Sequence, residues 1–397
     1  MPKAHNLKSI KSIKFPVHGQ GVFVFENNGE HGDCCGFTIY DADRVNGIMV
    51  DFLPSALHVT SLPTNEPLDD PKNGSGLVAT PGAYYWFSLD SQNQVLYAGI
   101  GEPRLETAIY KYSFPEHLHE SNKEFLESLV HIILHSDSYD LVPLRVLRDP
   151  VTNYVPLLVK DINEITMDDV AGCDIIPKAN LPPTSQKLYD CIGGRRFKLN
   201  THDFPDFYEA IENSIKTPGL WCYQKLREKA MEFNKQPNLK ETYLRITLGA
   251  NNGESPGIPY VMEIWPSGHF SPVHSHAGAE AVIRVLKGGI HVSLFPFLSP
   301  EVEHFGSADF VEGDVMWISP TLNQTHQLIN TGTGTCVTIQ CYMYDEKDDA
   351  HYDYFDYLDN EGVVQQYEPD SDMDFMDFKE IMREEWEARR PSCCFRT

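Results

Sequence analysis

The chain has 397 residues, 41% of them apolar, and a formal net charge of −25. That length exceeds what one core usually organises, so two domains are expected, and the apolar content excludes wholesale disorder. The acidity argues against nucleic acid or an anionic membrane as partner, because phosphate neutralisation needs basic stripes that the sequence lacks.

The first fifteen residues carry Lys3, Lys8, Lys11 and Lys14 without an apolar run, so no secretory signal is expected there. No stretch approaches the roughly 20 apolar residues of a membrane helix. Nine cysteines, an odd number, without an export signal point to reduced thiols and a cytoplasmic setting. Cys34-Cys35 and Cys393-Cys394 are adjacent pairs and lack zinc-type spacing.

From Gly21 to Phe114 short β-branched and aromatic runs alternate with Gly/Asn/Asp turns: Gly21 to Phe25, Gly36 to Tyr40, Ile48 to Phe52, Tyr84 to Leu89, Val95 to Gly99 and Thr107 to Phe114. Phe125, Leu126, Leu129, Ile132 and Ile133 recur at helical spacing, predicting a helix over Glu120–Ser136. Residues 1–180 are therefore expected to form a β-rich, sandwich-like domain with no catalytic constellation. The proline-rich run Pro177 to Pro183 marks a linker over 181–200. Beyond it, Phe207, Ala210, Ile211 and Ile215 share one face of a helix that Pro218-Gly219 ends, and a second helix is expected from Leu220 to Phe233. Strands then dominate over 242–344. Residues 345–397 hold 17 acidic and 6 basic side chains and are expected to be an acidic, mostly solvated tail. A short helix closes it, with Phe378, Ile381, Met382 and Trp386 on a face able to dock on the body.

The strongest chemical signal is Gly268-His-Phe-Ser-Pro-Val-His274-Ser-His276-Ala-Gly-Ala-Glu280. Side chains two apart on a strand share a face, so His274 and His276 can grip one ion. His326, on a later strand of the run Gly313 to Asn330, is the third candidate ligand. Neutral imidazoles suit iron, zinc, copper and nickel, and the spacing alone leaves the metal open.

These two runs resemble the paired motifs of the cupin superfamily, with His274, His276 and Glu280 in the first and His326 and Asn330 in the second. The resemblance implies a mainly β fold: a C-terminal cupin (jelly-roll) barrel over 201–345 with preceding helices, beside the N-terminal domain and the 346–397 tail. Within the superfamily, Tyr243-Leu-Arg245, Gly268 to His276 and Thr338-Ile-Gln340-Cys-Tyr342 are similar to the cysteine dioxygenase family. The likeness covers about a third of the chain. It implies Fe(II) on His274, His276 and His326, a carboxylate clamp from Tyr243 and Arg245, and Tyr342 beside the reacting atoms. The expected reaction oxidises cysteine, or a close carboxylate-bearing thiol, with O2 to the sulfinate. The chain departs from the family pattern at three places. Ala281 stands where animal members carry the cysteine that crosslinks to tyrosine, Gln340 replaces a histidine and Thr338 a serine.

Two other readings stay open. Glu280 occupies the position that supplies a fourth metal ligand in other cupins, which would make this a cupin enzyme with a 3-His-1-Glu site and a different reaction. Alternatively, the barrel is scaffold and the protein a non-catalytic binder.

Overall fold

The computed structural model of the chain describes residues 13–27, 35–54, 56–68, 72–73, 83–135, 141–194, 197–248, 260–276, 278–344 and 354–389. Cys34, Cys393 and Cys394 lie outside them. The chain divides into two compact units, Met1–Val155 with Pro296–Phe305, and Pro156–Phe295 with Gly306–Thr397. No described helix is long and apolar enough to cross a membrane.

In the first unit the aromatic strands fold into one seven-stranded and one five-stranded sheet among the described residues. Period-2 alternation sorts their side chains. Along Gln20–Asn27, Phe23 and Phe25 enter the main core, while Val22 and Val24 turn to the opposite face and pack with Trp86 and Val151. Phe25 from one sheet meets Phe37 and Phe52 from the other at centroid separations of 5.6 and 5.2 Å, edge to face. The core therefore lies between the sheets, which is a sandwich. The helical spacing over Glu120–Ser136 misleads in its second half. The helix is His119–Ser128, Leu129 turns extended, and His131–Leu134 becomes a strand with Ile132 opposite Ile39. Adjacent β-branched Ile132 and Ile133 fit a sheet better than a helix.

In the second unit the strands, in chain order, are β1 (Leu158–Lys160), β2 (Ile176–Pro177), β3 (Leu244–Leu248), β4 (Tyr260–Trp265), β5 (His274–Ser275), β6 (Glu280–Lys287), β7 (Gly289–Phe295), β8 (Gly306–Val311), β9 (Val315–Ile318), β10 (Thr325–Ile329), β11 (Cys336–Met343), β12 (Phe355–Leu358), β13 (Val364–Tyr367) and β14 (Met373–Asp374). The helices are α1 (Met167–Gly172), α2 (Pro183–Ile192), α3 (Phe207–Lys216), α4 (Trp221–Glu228) and α5 (Phe375–Ala388). One sheet runs β2-β1-β9-β6-β11-β4-β3-β14 and the other β8-β7-β10-β5-β12-β13. Among the described residues the ladders do not close into a single barrel; the unit is two open sheets, mostly antiparallel. Gly288, at φ +76 between β6 and β7, makes the tight reversal, and a side chain there would meet the Thr335 carbonyl at 2.8 Å.

The outer face of the larger sheet carries the helices. Leu244, Ile246, Met262, Ile264 and Val337 pack against Phe207, Ile211, Leu226, Phe378, Met382 and Trp386 of α3, α4 and α5. The segment expected to be a linker contains α2, which packs on the same sheet through Cys341 Sγ to the Leu188 carbonyl. The described part of the acidic tail, residues 354–389, is built into the fold rather than solvated. Its strand β12 pairs with β5, placing Tyr357 opposite His274, and α5 buries Phe378, Met382 and Trp386. Phe378, Met382, Trp386 and Tyr357 face the fold, while Val363, Val364 and Met376 stay exposed.

Candidate metal centre

The inner faces of the two sheets enclose one cavity, and strand parity decides what reaches it. On the smaller sheet β5 pairs with β10 so that His274 stands opposite His326, and His276 follows two residues on. The three imidazoles bring a ligating nitrogen each to within 4.8 Å of one another. His276 and His326 are buried and His274 is partly exposed.

Backbone carbonyls set the tautomers. His274 Nδ1–H donates to the Pro272 carbonyl at 3.0 Å and His326 Nδ1–H to the Asn323 carbonyl at 3.0 Å. Both rings must then present an unprotonated Nε2. Asn323 adopts φ +63, which asparagine tolerates, and its own amide donates to the Trp317 carbonyl. The amide of Asn330, the last residue of the second motif, donates to the Trp265 and Gly334 carbonyls, so its role is to tie the end of β10 to β4. Enclosure in the cavity lowers His274 to about 4 and His326 to about 3, and holds His276 well below its ordinary value. All three rings are therefore neutral at pH 7.

His276 tests whether these residues fit a cation. Its Nε2 lies 3.3 Å from His326 Nε2, and its Nδ1 is buried with no hydrogen-bond partner among the described residues. If His276 carries its proton on Nε2, it bonds His326 but leaves the Nδ1 lone pair buried alone. If the proton is on Nδ1, that donor is buried alone and two lone pairs face each other. A cation between the rings removes the second conflict. Two nitrogens each about 2.1 Å from one ion are about 3.0–3.4 Å apart. The donor set fits a divalent transition metal.

The larger sheet supplies the opposite wall. Arg245 on β3 stands directly across from Glu263 on β4, and Thr338, Gln340 and Tyr342 follow on β11. Arg245 Nη1 donates to Glu263 Oε1 at 2.7 Å with both side chains buried. Gln340 hydrogen-bonds Glu263, and the Tyr342 hydroxyl donates to Gln340 Oε1 at 2.5 Å. Arg245 also reaches Tyr342. Burial raises Glu263, against the lowering effect of Arg245 and Gln340, and burial raises Tyr342 too, which keeps its hydroxyl protonated. Thr338 accepts from Trp265 Nε1 at 3.3 Å, and Tyr243 stacks on Trp265 with centroids 4.2 Å apart. Ala281 lies opposite Tyr342 in register.

The structure thus brings His274, His276, His326, Tyr243, Arg245, Gln340 and Tyr342 to one cavity. Glu280 is the exception and corrects the fourth-ligand expectation. It is one residue out of phase with Ala281, so it points to the outer face of β6, where its carboxylate accepts from Ser185 Oγ of α2 at 2.5 Å. Replacing Glu280 with alanine is accordingly expected to leave metal content at the wild-type ratio, measured by elemental analysis of the purified protein; a variant that loses its metal would restore Glu280 as a ligand.

Among the lining residues that were not sequence candidates are Glu263, Phe355, Tyr357 and Tyr367. A charged residue inside the otherwise apolar strand Tyr260–Trp265 is a signal for the first. Phe355 and Tyr357 alternate with Asp356, a strand signature that the charge count of the tail conceals.

No family model matches the chain, and no curated protein matches it. Solved structures similar to it include a cupin-superfamily sugar phosphate isomerase from Silicibacter pomeroyi, at 15% identity over 36% of this chain and 82% of that one with a TM-score of 0.22. The cupin domain of Cnp3 from Schizosaccharomyces pombe is similar at 14% identity, over 28% and 74% of the two chains, with a TM-score of 0.21. An oxalate oxidase bound to glycolate is similar at 18% identity, over 27% and 52%, with a TM-score of 0.22. These likenesses to cupin proteins are partial; the two-sheet architecture and the three-histidine cluster stand on the geometry described above.

Proposed function

We propose that the protein is a non-haem iron(II) thiol dioxygenase that converts cysteine, or a close carboxylate-bearing thiol, and O2 to the sulfinate in the cytoplasm. The observation that carries this reading is a buried arginine in the same small cavity as three converging neutral imidazoles. His274, His276 and His326 would hold the iron, which when bound supplies open positions for a thiolate and O2 and lowers the thiol pKa. As three neutral ligands, His274, His276 and His326 would leave the charge of a bound ion undiminished.

The chain's own residues do the rest. Arg245 is an anchor for a carboxylate, with a planar donor fork that orients as well as binds. Tyr342, held protonated, gives its one hydroxyl proton to Gln340 Oε1, which fixes its direction and leaves the phenol oxygen to meet the reacting end as an acceptor. Trp265, Tyr243, Phe355 and Tyr357 line the cavity and exclude water, which strengthens each polar contact inside it. The overall change adds both oxygen atoms to sulfur, and the thiol supplies all four electrons, so no further reductant is needed.

Iron-loaded protein should consume one O2 per cysteine and yield cysteine sulfinate, followed with an oxygen electrode and product chromatography. Stoichiometric iron without oxygen uptake on any carboxylate-bearing thiol would defeat the proposal.

A further inference from the structure

The anchor assigned to a substrate carboxylate already holds a carboxylate of the protein. Arg245 and Glu263 are a directly opposed cross-strand pair, their closest atoms 2.7 Å apart, and both line the cavity that the imidazoles face. Gln340 holds the same Glu263 carboxylate from the next strand. A ligand that brings only a carboxylate must divide the Arg245 fork with Glu263, leaving two like charges together in a dry site. A ligand that brings only an ammonium must compete with Arg245 for Glu263, which sets two cations side by side. A ligand that brings both exchanges one internal pair for a ring of alternating charges, and the net charge of the site is unchanged. The spacing agrees: in an α-amino acid the nitrogen and a carboxylate oxygen are roughly 3 Å apart across one carbon, close to the separation of the Arg245–Glu263 pair.

We propose that Glu263 is a specificity-determining residue that takes the α-ammonium of a zwitterionic amino-acid thiol while Arg245 takes its carboxylate. The assignment rests on the thiol reading above and narrows it: cysteine is accepted, whereas 3-mercaptopropionate and cysteamine each bring half of the required pair and are disfavoured.

The test is anaerobic calorimetric binding of L-cysteine and of 3-mercaptopropionate to the full-length iron(II)-loaded protein, with oxygen uptake measured in parallel. Wild type should prefer L-cysteine by at least about tenfold, the scale of a single buried ionic interaction. Glu263→Gln keeps the size and hydrogen bonding of the side chain and removes its charge. It should weaken L-cysteine at least about tenfold while 3-mercaptopropionate binds as well or better, and Glu263→Asp should keep the wild-type order. Equal wild-type affinity for the two thiols overturns the assignment without any variant, as does a Glu263→Gln protein that loses both equally or keeps the wild-type ratio. Thermal melting identifies a variant that has lost its fold, in which case the wild-type order and Glu263→Asp decide. If the binding ratio follows residue 263 but no thiol consumes oxygen, the dioxygenase reading fails and the zwitterion assignment stands. Oxygen uptake with a ratio indifferent to residue 263 is the reverse result.

Discussion

Replacing His276 with alanine will abolish stoichiometric iron binding and thiol-dependent oxygen uptake while leaving the metal-free protein folded. Two ligands from β5 and β10 would remain, but His276 Nε2 is the atom 3.3 Å from His326 Nε2 and closes the face of the donor set. Outer-sphere changes at metal sites already cost about 10–100-fold in affinity, and removal of a ligand itself will exceed the upper end of that range. The metal-free protein loses the packing of the ring on Phe355, offset in part by removal of a buried Nδ1 with no partner among the described residues. The contrast arises on adding metal. Iron at about a thousand times its dissociation constant stabilises wild type by about 4 kcal/mol, and the variant should show no such rise in Tm. Melting curves with and without iron, paired with elemental analysis, read both effects. A His276→Ala protein that still holds one iron per chain would remove the basis for the site.

Much of this centre is legible in the sequence because its chemistry is local. His274-Ser-His276 on a strand needs only period 2 to place two rings on one face, and Tyr243 with Arg245 follows the same rule. The gap between the motifs is harder. Gly278, at φ +83, turns the chain between β5 and β6, so parity counted from His276 does not carry across to Glu280. Pairing with β11 sets the phase instead, putting Ala281 inward beside Tyr342 and Glu280 outward beside Ser185. Glu263 escapes a reading of the sequence for a related reason: its meaning comes from the Arg245 it faces across a ladder, a register that no single strand records. The tail shows composition overriding pattern. An excess of carboxylates over 345–397 suggests solvation, yet Tyr357 and Tyr367 reach the cavity and pack on Phe233 at centroid separations of 5.3 and 5.0 Å. On β12 Asp356 stands between Phe355 and Tyr357, and the aromatic positions carry the packing.

Arg245→Met should be the most destabilising single change in the cavity, and adding Glu263→Leu should restore most of the loss. The arginine and glutamate are buried and directly paired, so removing the cation strands a carboxylate away from water. Breaking one side of such a pair typically costs about 3–5 kcal/mol, whereas replacing both sides with apolar groups of similar volume is often neutral or stabilising. Glu263 is already raised by burial, and without Arg245 it will take up a proton, which limits the cost to the lower part of that range at pH 7. Urea midpoints at constant m-value for wild type, both single variants and the double variant form the cycle that isolates the pair. Activity must separate from stability here. The double variant recovers the fold but has neither charge with which to hold a substrate carboxylate or ammonium. Its kcat/KM for cysteine should therefore stay at least about a hundredfold below wild type, the scale of a lost charge-assisted anchor in a dry site. A double variant no more stable than Arg245→Met would show that the pair is not coupled. One that oxidises cysteine at the wild-type rate would mean that the substrate is held elsewhere in the cavity.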